Sequence, residues 1–565
     1  MSTGGKHGDN MRSGGQLLVD ALVANGVDMA FCVPGESYLT ALDALHDAPT
    51  IDLLTCRQEG GAAMMADAYG KLTGRPGICF VTRGPGAANA AGGVHVGFQD
   101  STPMILFVGQ VGRSMRDREA FQEIDYRRMF GQMAKWVAEI DQAERVPEYV
   151  SHAFHVAMSG RPGPVVLALP EDMLDDRAPA VHLEPAHRIQ PAPAAAAMAD
   201  LHQRLKSAER PLVVLGGNFW TDQGIAGIRA FAEANHLPVA CAFRYQHLFD
   251  NTHPNYAGDV GIGINPKLAA RVRDADLLIA VGPRLGEMTT GGYTLLDIPM
   301  PKQALVHIHP GAEELGSVYR PALAINSGLD AFAAAARALA PVHGPKKPAW
   351  AEDTLVAHAD YLAWSEPTEV PGPVNVGRII AKLGEILPAD AIVTNGAGNF
   401  AAFVHRFFRY REFGTQLAPT SGSMGYGVPA GIAAKRVRPD RTVVAVCGDG
   451  DFMMTGQELA TAAHHAIAPI FLIVNNGMYG TIRMHQEKHF PGRVVATELT
   501  NPDFQMLARA YKAHAELVEK TEDFEAAFDR ALASGLPAVI ELRVDREAIT
   551  PTATLSGLRA AAEKG

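Results

Sequence analysis

Short apolar runs alternate with longer, alanine-rich stretches along most of the chain, and many of the runs end in glycine or a polar residue. Near-continuous apolar runs of this length are typical of strands buried on both faces of a parallel sheet. The stretches between them have the length and spacing of the helices that cover such sheets. The pattern therefore predicts an α/β protein built from doubly wound parallel sheets.

The predicted strands fall into three groups, separated by proline-rich segments at residues 178–197 and 341–350. A chain of 565 residues is longer than one hydrophobic core usually serves. We therefore expect three domains, at residues 10–177, 196–341 and 365–548. The tail from Asp545 is less patterned and either covers a site or frays. The predicted strands are M-A-F-C-V, I-D-L-L-T-C, G-I-C-F-V-T, M-I-L-F-V-G, P-V-V-L-A-L, P-L-V-V-L-G, P-V-A-C-A, D-L-L-I-A-V-G, A-L-V-H-I-H, A-I-V-T-N, T-V-V-A-V-C-G, I-F-L-I-V-N-N and P-A-V-I-E-L.

Composition narrows the class of protein. Hydrophobic residues make up 47% and charged residues 20%, as in ordinary globular proteins. The formal net charge of -11, without a basic stripe, argues against a nucleic-acid partner. No apolar run reaches the roughly 18 residues that a membrane helix needs. The five cysteines are spread singly and no apolar signal core opens the chain, so we expect a cytoplasmic protein.

Polar residues follow two neighbouring apolar strands of the third domain. One strand ends in Gly448-Asp449-Gly450, and the next ends in Asn476. Ligands of open α/β sheets bind at the carboxyl ends of strands, and a helix expected near Met453 would direct backbone amides at an anion. Carboxylate and amide oxygens suit Mg²⁺. Taken alone, Asp-Gly or Asn-Asn-Gly would be interpreted as a turn. The two together, each after an apolar strand and at this spacing, favour a phosphate and metal site.

The G-D-G, the 24 residues after it and the N-N resemble the motif of thiamine-diphosphate (ThDP)-dependent enzymes. The resemblance implies that Asp449, Asn476 and the backbone carbonyl of Met478 hold the Mg²⁺ that clamps the diphosphate. It also implies cofactor contacts from the rest of the motif, namely Gly448, Gly450, Asp451, Tyr479 and Gly480, with Tyr479 counted among the catalytic residues.

The first domain carries two further matches. The stretch E-G-G-A-A-M-M-A-D-A-Y resembles the family pattern E-x-x-A-x-x-x-A-x-x-Y, which implies that Glu59 is the catalytic glutamate that hydrogen-bonds the cofactor's pyrimidine ring. Taken alone, Glu59 would read as an acid matched to a helix N-terminus. The stretch G-P-G-A-A-N resembles the turn that contributes Pro85 and Asn89, with a plain glycine loop as the alternative.

Other segments extend the resemblance to the acetolactate synthase branch. In A-F-Q-E, Phe121 and Gln122 would face the reacting carbon, or simply pack at a helix start. In S-G-S-M-G-Y-G, the carbonyl of Gly422 would accept the pyrimidine amino group and Met424 would be the apolar wedge that bends ThDP. The loop T-N-G-A-G-N would line the diphosphate side with Asn395, Gly396 and Asn399.

The resemblance spans nearly the whole chain, which is identified as a member of the acetolactate synthase-like superfamily with Pyr, central and PP domains. Membership implies ThDP- and Mg²⁺-dependent decarboxylation of a 2-oxo acid with carboligation to a carbonyl acceptor. It also implies a homodimer or homotetramer with active sites at the subunit interface. No His-His pair stands between Glu59 and Leu174, which favours carbon–carbon bond formation over simple decarboxylation.

The chain departs from the acetolactate synthase pattern L-G-M-V-R-Q-W-Q at Thr481 and His485, so the acceptor stays open. His485, counted as catalytic, and His489 could transfer protons, bind an anion or face solvent. The FAD segment R-F-D-D-R is replaced by G-P-R-L-G-E, which keeps Arg284 and argues against FAD while leaving it open.

Two other functions stay open. One is a carbon–carbon lyase or decarboxylase of the 2-hydroxyacyl-CoA lyase, oxalyl-CoA decarboxylase or benzaldehyde lyase type, in which Lys267, Arg271 and Arg273 could bind CoA, although a solvated helix face explains them better. The other is a non-catalytic ThDP-binding protein, disfavoured because Glu59 and Asp449 are both intact. A nicotinamide-dependent dehydrogenase would need fingerprint glycines that the chain lacks.

Overall fold

The structure is a computed structural model that describes residues 10–344 and 346–564. The described residues form two compact units, divided between Ile189 and Gln190. The first unit is built on a six-stranded parallel sheet. In spatial order its strands are Asp52–Thr55, Met29–Cys32, Gly77–Val81, Met104–Gln110, Pro164–Pro170 and Trp136–Glu139. Its helices are Gly14–Ala24, Leu39–His46, Glu59–Thr73, Gly84–Asp100, Tyr126–Phe130, Val146–Met158 and Glu171–Asp175. A small antiparallel pair, Met11–Ser13 with Arg177–Pro179, joins the two ends of this unit.

The second unit contains two more six-stranded parallel sheets. In spatial order, the strands of the central sheet are Tyr256–Val260, Val239–Ala242, Pro211–Leu215, Leu277–Val281, Ala304–His309 and Leu323–Asn326. Those of the third sheet are Gln416–Leu417, Ile392–Asn395, Val443–Gly448, Ile470–Asn475, Ala538–Arg543 and His514–Val518.

The helices of the second unit connect and cover these strands. They are Ala195–Ser207, Asp222–Ala234, Pro266–Asp274, Leu329–Arg337, Ala351–Trp364, Val376–Ile386, Phe400–Phe407, Gly427–Val437, Asp449–Phe452, Leu459–His464, Gly480–His489, Phe504–Ala510, Phe524–Ala533 and Leu555–Ala562. Within the described residues, none of the helices is long and apolar enough to cross a membrane.

The first and third sheets share one topology. With strands numbered along the chain within each sheet, both have the order 2-1-3-4-6-5, whereas the central sheet has the order 3-2-1-4-5-6. In each sheet the order reverses direction beside the first strand, and such a switch point is where open α/β sheets bind ligands. Every residue of Met104–Gln110 and Pro164–Pro170 is buried. Since alternate side chains point to opposite faces, both faces of the first sheet are covered, as the apolar runs predicted.

The three parallel-sheet α/β domains are confirmed, and all thirteen predicted strands are present. The prediction of a helix that begins near Met453 is wrong, because a four-residue helix, Asp449–Phe452, begins at Asp449 itself. This helix ends at Phe452, and the next α-helix begins at Leu459. Between them the hydroxyl of Thr455 donates to the carbonyl oxygen of Gly425. The G-D-G turn therefore leads into one tight helical turn rather than a long helix.

Candidate functional site

A cavity of about 240 Å³ lies at the carboxyl ends of the third sheet. It sits at the switch point, beside the ends of the neighbouring strands Ile392–Asn395 and Val443–Gly448. Most of the cofactor residues that the resemblance implies for this domain line the cavity: Asn399, Gly422, Met424, Gly448, Asp449, Gly450, Asp451, Asn476, Met478, Tyr479 and Gly480. The other two, Asn395 and Gly396, lie behind this wall, where a Cβ on Gly396 would stand 2.1 Å from Oδ1 of Asp451.

Asp449 is held in a buried hydrogen-bond network at the edge of the cavity. Its side chain is 2% exposed, and Oδ2 accepts from the backbone N–H of Gly477 at 2.9 Å and from Nδ2 of Asn501 at 2.7 Å. The same Nδ2 donates to Oδ1 of Asn475 at 2.9 Å. Burial raises the pKa of Asp449. Sequence reasoning missed Asn501, which lies outside both motifs. Its only signal is that it opens the stretch N-P-D-F, which leads into the helix Phe504–Ala510.

The loop after the fourth strand brings further oxygen atoms to the same wall. Oδ1 of Asn476 accepts from the backbone N–H of Met478 at 3.1 Å, and Tyr479 donates its backbone N–H to Thr497 at 2.9 Å. Met478 is buried and forms an isolated antiparallel bridge with Glu498. One carboxylate, one amide and one backbone carbonyl are hard oxygen donors of the kind Mg²⁺ prefers.

Glycines leave the backbone of this cavity wall without side chains. A Cβ on Gly450 would lie 2.6 Å from the Tyr479 ring, and a Cβ on Gly448 would lie 2.9 Å from the Phe400 ring. On the opposite loop, Gly422 adopts a left-handed φ of 70°. A side chain at these positions would fill or distort the space, so the wall is shaped to let a ligand approach the backbone.

Asp451 ties two loops of the cavity together. Its buried Oδ1 accepts from the backbone N–H of Ala397 at 3.0 Å and from that of Gly425 at 2.9 Å. Oδ2 is also buried and has no hydrogen-bond partner among the described residues. Burial raises the pKa of Asp451 to about 7. An orphaned polar atom in a cavity wall is what a site awaiting a polar ligand would show.

In the first unit, Glu59 and Asn89 are brought into contact. Glu59 opens the helix Glu59–Thr73, is 9% exposed, and its Oε2 accepts from Nδ2 of Asn89 at 2.9 Å. The Gln58 side chain caps this helix by accepting from the N–H of Gly61 at 3.0 Å. The carboxyl group is thereby fixed in one orientation at the end of a strand.

The other predicted residues of the first unit lie on adjoining turns. Pro85 is exposed in the first turn of the helix Gly84–Asp100, and the backbone oxygen of Gln122 accepts from the N–H of Gly84 at 3.0 Å. Gln122 has a left-handed φ of 66°, and Phe121 is 72% exposed. The strained turn fastens this segment to the glycine turn and leaves Phe121 facing outward.

Comparison with known proteins gives the same family along the whole chain. Residues 12–129 match the N-terminal TPP binding domain of thiamine pyrophosphate enzymes, residues 198–336 the central domain and residues 396–542 the C-terminal TPP binding domain. The acetolactate synthase isozyme 2 large subunit of Escherichia coli (strain K12) is 30% identical over 539 residues, which cover 94% of this chain and 96% of that protein. The chain belongs to the acetolactate synthase-like ThDP-dependent enzymes. It is therefore a ThDP-dependent enzyme.

A second acetolactate synthase-like relative extends the match. The acetolactate synthase large subunit of Parasynechococcus marenigrum (strain WH8102) is 32% identical over 550 residues, covering 94% of this chain and 88% of that protein. The predicted family, the α/β fold and the dependence on ThDP are confirmed by these comparisons.

The two departures from the acetolactate synthase pattern occupy different places. Thr481 lines the cavity and donates its hydroxyl to Oδ1 of Asn399 at 2.9 Å. His485 is exposed one turn further along the helix Gly480–His489 and does not line the cavity, and its ring stacks on His489 with centroids 6.2 Å apart. Partial burial and the neighbouring Lys488 and His489 lower the pKa of His485. Its catalytic role stays a prediction.

The tail that the sequence left open covers part of the cavity in this acetolactate synthase-like enzyme. Val544, Ala548 and Ile549 line the cavity, and Ile549 and Leu555 pack against Met478. The tail is fastened by an ion pair, because Arg559 donates to both oxygens of the fully buried Glu487, at 2.8 and 2.6 Å. Arg559 first, then the N–H of Gly492 and Arg483, lower the pKa of Glu487 to about 2.

Arg559→Met should release the C-terminal helix Leu555–Ala562, because it leaves the Glu487 carboxylate buried without its bidentate partner. Glu487 would then keep only its hydrogen bonds from Arg483 and the N–H of Gly492, and the helix would lose its ion pair to the rest of the domain. We expect faster amide hydrogen exchange in residues 545–564. The control is Arg378→Met, which removes an exposed pair with Glu369 worth less than about 1 kcal/mol. Equal exchange in the two variants would contradict the assignment.

The central domain of this acetolactate synthase-like enzyme has a smaller cavity of about 70 Å³ at the ends of the strands Leu277–Val281 and Ala304–His309. Arg284, the residue kept from the FAD segment of the family, lines it and pairs with Glu314 at 3.2 Å. His307 also lines this cavity, and its Nε2 is 3.0 Å from the carbonyl oxygen of Pro283.

Proposed function

We propose that the enzyme decarboxylates a 2-oxo acid, with pyruvate as the first donor to test, and joins the product to a second carbonyl compound, as an acetolactate synthase does. The observation that carries the proposal is the cavity at the switch point of the third sheet. Its wall combines a buried carboxylate, an amide and a backbone carbonyl with bare glycine backbone, and the first unit supplies a fixed carboxyl group in Glu59.

The residues present fit ThDP and Mg²⁺. Asp449, Asn476 and the carbonyl of Met478 would hold the metal ion, and the glycines of the G-D-G turn and Gly480 would admit the diphosphate. Met424 would fill the wall beside the thiazolium, and the carbonyl of Gly422 would accept the pyrimidine amino group. When bound, ThDP supplies a thiazolium that stores the electrons released by decarboxylation.

Other side chains would transfer the proton and shape the substrate pocket. Glu59, oriented by Asn89, would exchange a hydrogen-bonding proton with the pyrimidine nitrogen. Phe121 and Gln122 would shape the space around the reacting carbon, with Tyr479 beside it. Thr481, in the cavity wall, would contact the acceptor, and His485 would act only from its exposed position near the entrance.

Assembly as a homodimer or homotetramer, with sites shared between subunits, is part of the proposal. Phe121 is 72% exposed in the chain and Ile482, which lines the cavity, is 56% exposed. Large apolar side chains at a site are expected to be covered in the working enzyme. A cytoplasmic location is supported by five buried cysteines, all of them unbridged.

The test is product analysis by mass spectrometry with purified enzyme, ThDP, Mg²⁺ and pyruvate, then with pyruvate and a panel of aldehydes and 2-oxo acids. Acetolactate or a mixed acyloin, absent when ThDP is omitted, is the expected result. If pyruvate is not consumed with any acceptor while ThDP still binds, the proposed donor is wrong.

The second candidate is a carbon–carbon lyase, which the changes at Thr481 and His485 favour. Its CoA-dependent forms need free basic residues in the central domain. Lys267 pairs with Asp360 at 2.5 Å, and Arg271 pairs with Asp353 and with Asp360 at 3.3 Å. These cations are engaged by the helix Ala351–Trp364, so the acetolactate synthase-like reaction is the better supported.

The double variant Thr481→Met, His485→Trp should shift the product ratio toward acetolactate by about tenfold. It restores the family's residues at both positions, and one methylene more or less in a hydrophobic pocket is worth about 10–200-fold in selectivity. The ratio of acetolactate to mixed acyloin is measured with pyruvate and an aldehyde in competition. His489→Trp, on the same exposed helix end, is the control, and an unchanged ratio in the double variant would remove both residues from acceptor selection.

A further inference from the structure

Arg244 is a buried cation that reaches from the central domain to the loops of the cavity. It follows Val239–Ala242, a strand of the central sheet, and the residue is only 6% exposed. One Nη donates to the carbonyl oxygen of Gly396 at 3.1 Å, and the other donates to that of Pro419. A buried guanidinium needs such partners, since an unpaired buried charge is costly.

The two carbonyls that Arg244 contacts belong to the same two loops that Asp451 joins. In the first loop, Arg244 binds the carbonyl and Asp451 binds the N–H of one peptide group, Gly396–Ala397. In the second loop, Arg244 binds Pro419 and Asp451 binds Gly425. The two charged side chains therefore fix both loops through the polar groups of the backbone.

These loops carry residues that line the cavity, namely Asn399 on the first and Gly422 and Met424 on the second. Arg244 has a left-handed φ of 65°, which is uncommon for a bulky residue and persists only where surrounding contacts fix it. Its guanidinium also lies 4.9 Å from the centre of the Phe243 ring. The backbone and the Phe243 ring therefore fix the arginine in the central domain, and its guanidinium binds the two loops of the third domain.

We propose that Arg244 is a positioning residue for the ThDP cavity, by which the central domain sets the spacing of the loop bearing Asn399 and the loop bearing Met424. This inference rests on the proposed cofactor site. A planar guanidinium reaches two carbonyls at once, whereas a lysine ammonium is a point charge. Arginine is thus required by the geometry, and lysine should restore only part of its effect.

The test measures ThDP affinity directly, by isothermal titration calorimetry at fixed Mg²⁺. Loss of both charge-assisted hydrogen bonds in Arg244→Met should raise the Kd of ThDP about 10- to 100-fold, and Arg244→Lys should fall between it and the wild type. At saturating ThDP, kcat should be largely recovered while the KM for ThDP stays high.

A double-mutant cycle gives a second readout. Because Arg244 and Asp451 hold the same loops, the double variant Arg244→Met, Asp451→Asn should weaken ThDP less than the product of the two single effects. Independent, multiplying effects would overturn the shared role.

The control is Arg411→Met, which removes an arginine that donates to a backbone carbonyl (Leu387, 2.6 Å) away from the cavity. A Kd for Arg244→Met within twofold of the wild type, or a rise equal to that of the control, would overturn the proposal. Normal ThDP binding by the wild type without any product from pyruvate would instead contradict the proposed reaction and leave Arg244 in place.

Discussion

Glu59→Gln should leave ThDP bound while lowering turnover by roughly 10²–10⁴-fold, the range for loss of a general acid–base group. Glutamine keeps the size of the side chain and an oxygen that can still accept from Nδ2 of Asn89, now at 2.9 Å. What it loses is the ability to hold and return a proton. The variant should therefore fold and bind ThDP as the wild type does, but it should not transfer the proton.

The decisive measurement for Glu59 is the rate at which the C2 proton of bound ThDP exchanges with deuterated water, together with kcat and the Kd of ThDP. Glu36→Gln is the matched control, since Glu36 is a carboxyl group of the same unit whose side chain is 69% exposed and only distantly paired, 3.8 Å from Arg83. Wild-type exchange in Glu59→Gln would remove this residue from the chemistry.

Asp449→Ala should abolish Mg²⁺-dependent retention of ThDP, with a loss of at least about 10²-fold in metal affinity. Asp449 is the sole carboxylate among the proposed ligands, and in metal sites even an outer-shell change costs 10–100-fold. The substitution also frees Gly477 and Asn501, whose hydrogen bonds to Asp449 measure 2.9 and 2.7 Å. Asp449→Asn keeps an oxygen for these bonds and isolates the lost charge.

Bound Mg²⁺ and ThDP are measured after gel filtration, by metal analysis and absorbance. Asp503→Asn is the control, because it also converts a carboxylate to an amide, and asparagine replaces aspartate well as a helix N-cap at that position. If Asp449→Asn retains Mg²⁺ as the wild type does, the metal assignment fails.

The interior strands could be predicted from sequence because both of their faces are buried. Among the described residues, the pattern missed the small pair Met11–Ser13 and Arg177–Pro179 and five strands of the six-stranded sheets. These five all lie at sheet edges, where one side has no neighbour. Leu323–Asn326 has only one fully buried residue, and Gln416–Leu417 is two residues long. Neither has the continuous apolar run on which the prediction depended. The five missed edge strands of the six-stranded sheets are Trp136–Glu139, Tyr256–Val260, Leu323–Asn326, Gln416–Leu417 and His514–Val518.

The site could be predicted where its residues stand in short motifs, as with Asp449 and Asn476. Residues that enter from a distance could not be. Asn501, Arg244 and Ile549 reach the cavity only because the chain folds back on itself, and none has a local pattern that marks it. Sequence reasoning thus found the groups proposed to touch the ligand and missed those that hold the wall.

Because parallel strands are far apart along the chain, a strand of this enzyme waits for its partner while the chain is being synthesised. Strand Met104–Gln110 pairs on one side with Pro164–Pro170, whose last residue is made 60 residues later. At about 5–20 residues per second, that edge stays open for roughly 3–12 s. An open edge on a largely apolar strand is a template for pairing with another chain. Whatever covers that edge before its partner strand is made therefore protects the growing chain from pairing with another chain.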